Sequence, residues 1–168
     1  MYDVNCFTDS ESVKSTSMKL ELLSLKTSKD LMKLKRGISV SGSGDLLAKA
    51  CLKKEFFLVN PLETQKFFSS TELIRAVADN GKVFEIPLLS LLRSSFVARA
   101  RLVRELQFFL RNCLKYNAEF VFSSRAENEF DLKTERELIA ILQELGLTRA
   151  QAAFALNERA KRVFEELN

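Results

Sequence analysis

The residues best suited to chemistry in this chain are arginines. Arg93, Arg99, Arg101, Arg104, Arg111 and Lys115 lie in one segment where Glu105 is the only acid, giving a local balance of about +5 against +4 for the whole chain. Read as a helix at about 100° per residue, Arg101, Arg104, Arg111 and Lys115 share one face with Phe108. Leu102, Val103, Leu106, Phe109, Leu110, Cys113 and Leu114 fall on the opposite, core-facing side. Arginines spaced three to ten residues apart reach successive phosphates of a folded RNA, and an exposed phenyl ring stacks on an unpaired base. An ordinary solvated helix face, or a basic docking face for an acidic protein, is the rival reading of the same pattern. Arg99 breaks the pattern. It projects toward the apolar side, where a guanidinium needs a carboxylate, and Glu85, Glu127 and Asp131 are the candidates. The structural ion pair expected is Arg99 with Asp131.

The chain has no histidine, which removes Ser-His-Asp and Cys-His catalysis and the metal sites that use imidazole ligands. Glu127, Glu129 and Asp131 cluster after Ser124 and leave one enzymatic alternative, a phosphoesterase holding a divalent ion. Acids in a turn before a helix more commonly serve as caps. No catalytic residue and no metal ligand is assigned to this chain. Cys6, Cys51 and Cys113 are odd in number, scattered in apolar contexts and without CxxC spacing, so they read as buried free thiols in a reducing compartment. No apolar run is long enough to span a membrane, and Asp3 stands where a signal peptide would be basic. The expectation is a soluble, cytoplasmic protein with no membrane partner.

The elements that must position these residues alternate. Apolar runs at Tyr2 to Phe7, Leu20 to Leu25, Ile38 to Val40, Phe56 to Val59, Val83 to Ile86 and Phe120 to Phe122 read as strands. Between them, Lys29 to Lys35, Leu46 to Lys54, Thr71 to Asp79 and Val97 to Tyr116 have helical spacing. Strand, helix, strand with continuous apolar strands is the signature of a parallel sheet buried on both faces. Residues 8 to 18 are serine-rich and read as a ragged helix or a loop. Ser41-Gly42-Ser43-Gly44-Asp45 lacks the full pattern of a phosphate-binding loop and reads as a turn with Ser43 or Asp45 as N-cap. Thr134 with Glu137 and Thr148 with Gln151 match capping boxes, with Gly146 as a left-handed stop, predicting helices over about 135–145 and 149–156. Asn157 is the expected cap of a third.

Glu85-Ile86-Pro87-Leu88-Leu89-Ser90-Leu91-Leu92-Arg93, Arg99-Ala100-Arg101-Leu102-Val103-Arg104, Phe122-Ser123-Ser124-Arg125-Ala126, Asp131-Leu132 and Glu135-Arg136-Glu137-Leu138 together resemble the family of archaeal ribonuclease P protein component three. This is the polymerase-and-histidinol-phosphatase-like TIM-barrel family that includes the eukaryotic thirty-kilodalton subunit. Order and spacing agree over residues 38–166, most strongly over 83–138. The resemblance implies an α/β fold, a distorted, shortened TIM-like barrel formed by residues 1–168 as a single domain, with its shortfall before residue 38. It also implies a non-catalytic subunit that binds and stabilises the catalytic RNA in 5′-leader removal from precursor tRNA. The RNA would use Mg2+, this chain would bind no cofactor, and component two would be the protein partner in a two-plus-two heterotetramer. Precursor tRNA would be contacted indirectly. Family motifs match at Arg93, Arg99, Arg101, Arg104, Ser123, Ser124, Arg125, Asp131 and Arg136. The RNA-binding set expected from the basic face and these motifs is Arg93, Arg101, Arg104, Phe108, Arg111, Lys115, Ser123, Ser124 and Arg125. Pro87 and Ala98 depart from the family pattern, which usually has an asparagine or serine and often an acid at those places.

Overall fold

Continuous apolar strands need cover on both sides, and the chain supplies it by following each strand with an amphipathic helix. The computed structural model describes Asp3 and residues 17–167. Its five strands are β1 (Glu21–Leu25), β2 (Ile38–Gly42), β3 (Leu58–Val59), β4 (Val83–Pro87) and β5 (Glu119–Ser123). All neighbours pair in parallel, in the order β1-β2-β3-β4-β5. Each new unit adds beside the last without a reversal, which is how a TIM-like barrel is wound and how a doubly wound sheet is not. Among the described residues no ladder joins β5 to β1. The expected strand Tyr2 to Phe7 lies outside the described residues except at Asp3, as does the ragged segment before Ser17. Asp3 forms an isolated parallel bridge with Ser17, and its carboxylate accepts the Ser124 amide at 3.1 Å, just past the end of β5.

The described residues form seven α-helices: α1 (Gly44–Cys51), α2 (Thr71–Asp79), α3 (Leu88–Leu92), α4 (Phe96–Lys115), α5 (Glu135–Glu144), α6 (Arg149–Phe154) and α7 (Ala160–Leu167). The stretch expected as a helix over Lys29 to Lys35 is a 3-10 helix, Ser28–Lys33. Ser43 caps α1 by accepting from the Leu46 amide. Both capping boxes form, at Thr134 with Glu137 and at Thr148 with Gln151, and Gly146 ends α5 with φ +90°. Gly42 is required for a different reason: a Cβ there would stand 2.8 Å from the Leu25 carbonyl oxygen of β1. Leu88–Leu92 is a helix that no expectation covered, and Asn157, expected to cap a third C-terminal helix, caps none. It lies inside a π-helical stretch, Ala155–Arg159, that runs unbroken from α6 into α7.

Side-chain alternation along the strands sorts the core into two layers. Val40, Val59, Phe84, Ile86, Phe120 and Phe122 face the layer closed by α1, α2, α4 and α5. Leu58, Val83 and Val121 point the other way and are covered by Ala160, Val163 and Leu167 of α7. The spacing of those three residues puts them on one face of the last helix. On the strand face covered by α7, the next residue along β4 with the same orientation is not apolar. It is Glu85, fully buried.

Candidate nucleic-acid interface

Helix α4 carries the cations because its other side is committed to the core. Leu106, Phe109, Leu110 and Cys113 are buried, with Phe109 packed edge-on against Phe67 and Phe84 at 5.3 and 4.9 Å between centroids. Leu102 and Val103 are half-buried, and Leu114 is exposed rather than in the stripe. Anchoring this face turns Arg101, Arg104, Arg111 and Lys115 to solvent, with Phe108 46% exposed among them. Arg104, Arg111 and Lys115 form no ion pair among the described residues. Arg101 is exposed and donates to Glu105 one turn on at 2.8 Å, a solvent-screened pair within one helix that contributes little to stability. Arg75 of α2 extends the surface in a way the sequence did not reveal. Its guanidinium lies 5.0 Å from the Tyr116 ring centroid, while Lys115 lies 5.3 Å from the same ring.

The sites expected at the C-terminal ends of the strands are built differently. Glu85 accepts hydrogen bonds from the Ser39 hydroxyl, from the Ser123 hydroxyl at 2.6 Å, and from Arg125 Nε and Nη2, both at 2.9 Å. Burial opposes charge on Glu85, but the guanidinium and the two hydroxyls outweigh it and hold its carboxyl below the ordinary value. Arg125 reaches inward from a left-handed backbone position, φ +48°. Ser123 and Arg125, expected to touch RNA, are therefore corrected: Ser123 is buried, and Arg125 is a mostly buried partner of Glu85. Ser124 is a turn residue whose hydroxyl accepts from the Ala126 amide at 2.9 Å. Arg125 lies 40 positions from Glu85, beyond the reach of any periodicity. The usable signal was a single acid inside the apolar run Val83-Phe84-Glu85-Ile86.

The ion pair expected between Arg99 and Asp131 is not made. Arg99 is exposed and donates to the Leu92 and Ser94 carbonyls, both at 2.9 Å, closing the C-terminal end of α3. The first turn of α4 stands clear of the core, so an angle on the apolar side does not mean burial there. Asp131 pairs with Arg93 at 2.8 Å, and Glu127 takes the other nitrogen of the same guanidinium at 2.7 Å. Arg93 thus pins the loop after β5, with its charge met inside the molecule. Two of the three carboxylates of the phosphoesterase alternative, Glu127 and Asp131, pair with this guanidinium. Asn128 caps the 3-10 turn that holds Glu129 and Asp131. Arg136 is exposed in the first turn of α5.

A family model described as RNase P subunit p30 matches residues 38–167. The chain belongs to the RNase P subunit p30 family. That span agrees with the run over which the motifs line up, and it covers β2 to α7 of the p30-family fold. Ribonuclease P protein component 3 of Methanosarcina acetivorans is 34% identical over 85 residues, 51% of this chain and 36% of that protein. The protein of the same name from Methanosarcina mazei is 31% identical over 94 residues, 56% of this chain and 39% of its own length. The Halobacterium salinarum protein is 30% identical over 86 residues. The aligned part of this chain thus spans little more than a third of these p30-family relatives. A chain in the cryo-EM structure of archaeal ribonuclease P with mature tRNA superposes with a TM-score of 0.71 at 19% identity, over 96% of this chain and 79% of that one. The fold of that chain is therefore shared by nearly the whole of this one, in agreement with an α/β arrangement of TIM-like winding.

Proposed function

We propose that this chain is a non-catalytic protein subunit of ribonuclease P that binds and stabilises the catalytic RNA for 5′-leader removal from precursor tRNA. The observation that carries the reading is the outer face of α4, where Arg104, Arg111 and Lys115 stand exposed with no carboxylate partner among the described residues, beside Arg75 and Phe108. Family membership supports it, and so does the chemistry of the strand ends. A buried carboxylate already saturated by Arg125, Ser39 and Ser123 has no lone pair turned toward a substrate. In this reading the RNA carries Mg2+ and performs the hydrolysis, and the chain supplies cations to the RNA backbone. Ribonuclease P component two is the protein partner, in a two-plus-two assembly, and precursor tRNA is met through the complex. The assembly works in the cytoplasm.

Reconstitution tests the proposal. Catalytic RNA and component two, scored for precursor-tRNA cleavage, are expected to gain activity when this chain is added, and absence of any stimulation refutes the role. For the cations, the log–log slope of RNA affinity against salt is expected to fall by about 1–2 in Arg104→Gln/Arg111→Gln. An unchanged slope would remove that face from the interface.

A further inference from the structure

Beside the cations, α4 borders a cleft of about 430 Å3 lined by Phe68, Ser69, Arg101, Arg104, Glu105 and Phe108. Its geometry is fixed from below. Phe67 is buried against Phe109, and Asn112 of α4 donates to the Phe68 carbonyl at 3.3 Å, which holds the turn Phe67–Ser69 on the helix. Phe68 and Phe108 meet edge to face with centroids 6.2 Å apart, so the two rings present planes at 81° to each other. One plane offers a stacking platform and the other a wall. Arg104 stands exposed one turn before Phe108, at the mouth of the cleft, with no ion pair among the described residues. The Glu105 side chain is turned toward the same space and gives one carboxylate oxygen, Oε1, to Arg101. Its other oxygen accepts only, because an ionised carboxylate has no hydrogen to donate.

Two aromatic surfaces, an unneutralised guanidinium and a spare acceptor meet in a space larger than a nucleobase. We infer that this cleft seats a single unpaired RNA base carrying an exocyclic amino group, stacked on Phe108 against Phe68, with its phosphate on Arg104 and its amino hydrogens on Glu105. The inference rests on the RNA-binding reading and specifies it. A purely electrostatic face needs no aromatic rings and no acid; a base site uses both. The carboxylate also sets a preference, since the cytosine amino group donates where the uracil carbonyl would face it oxygen to oxygen.

The probes are fluorescein-labelled rC8 and rU8 titrated against the full chain and followed by anisotropy at several salt concentrations. The wild-type chain is expected to bind rC8 about fivefold more tightly than rU8. Phe108→Leu, which keeps apolar bulk, is expected to weaken rC8 binding by about tenfold with no change in salt slope. Arg104→Gln is expected to lower the slope by about 0.7. Glu105→Gln, an isosteric change at a helix surface, is expected to abolish the preference for rC8 while leaving rU8 affinity within about twofold. If Phe108→Leu and Glu105→Gln behave as wild type while Arg104→Gln alters the slope, the face binds RNA but the base site is refuted. If the wild-type chain shows no salt-dependent binding to either probe, the RNA-binding reading falls with it.

Discussion

Replacing Arg125 by Met keeps the stem of the side chain and removes the guanidinium, leaving Glu85 buried with the Ser39 and Ser123 hydroxyls but without its counter-ion. Lost are hydrogen bonds of 2.9 Å to each carboxylate oxygen and one of 3.2 Å from Arg125 to Ser39. Breaking a buried ion pair by removing one partner costs about 3–5 kcal/mol. With a urea slope of about 2 kcal/mol/M, the unfolding midpoint is expected to fall by about 1.5–2.5 M at pH 7. The sign of the pH dependence is the sharper criterion. In the wild-type chain the Glu85 carboxyl is depressed, so its contribution is full above its unfolded value of about 4.3 and is lost as pH falls through the folded value. In Arg125→Met, burial without a guanidinium raises the same carboxyl, so the variant recovers as the acid protonates. The gap between the two proteins is therefore expected to narrow from pH 7 to pH 5, and Glu85→Gln/Arg125→Met is expected to recover much of the loss at pH 7. A loss under about 1 kcal/mol, or a gap independent of pH, would show that the pair is not the buried, charged unit described here.

Other expectations are simpler to check. Burial pushes the Cys51 thiol up to about 12 and raises Cys113 further, although Lys82 and Arg159 respectively oppose the shift. With Cys6 replaced by Ser, the folded chain is expected to leave Ellman's reagent unreacted at pH 8 and to release two equivalents in denaturant; rapid native labelling would contradict the burial. Thr134→Ala removes the oxygen that accepts from the Glu137 amide and the partner of the Glu137 carboxylate. It is expected to cost about 1 kcal/mol, read as a lower melting temperature with unchanged RNA affinity.

Local rules carried much of the fold because local physics built it. The stripe on α4, both capping boxes, the Ser43 cap and the Gly146 stop each depend on contacts within a few residues, and each is present. What could not be read depends on where elements meet. A helical wheel places Arg99 by angle but does not say that the first turn of α4 projects past the core, nor that the end of α3 lies beside it with carbonyls to satisfy. Arg93, Arg101 and Arg125 look alike as letters. Their neighbours separate them into a loop clamp, a weakly held surface cation and a buried counter-ion. Phe68 was invisible as part of a site because its role needs a turn folded onto a helix some 40 positions away.

The position of α7 has a bearing on how the molecule comes to exist. Ala160, Val163 and Leu167 roof over Leu20, Leu58, Val83 and Val121, drawn from β3, β4, β5 and the residue before β1. While α7 is undocked, the Leu58, Val83 and Val121 side of the sheet stays wet, so the strands from β3 to β5 complete their burial only when that helix docks, whatever the order in which they pair. An undocked α7 leaves that apolar surface as the stickiest part of the partly folded chain.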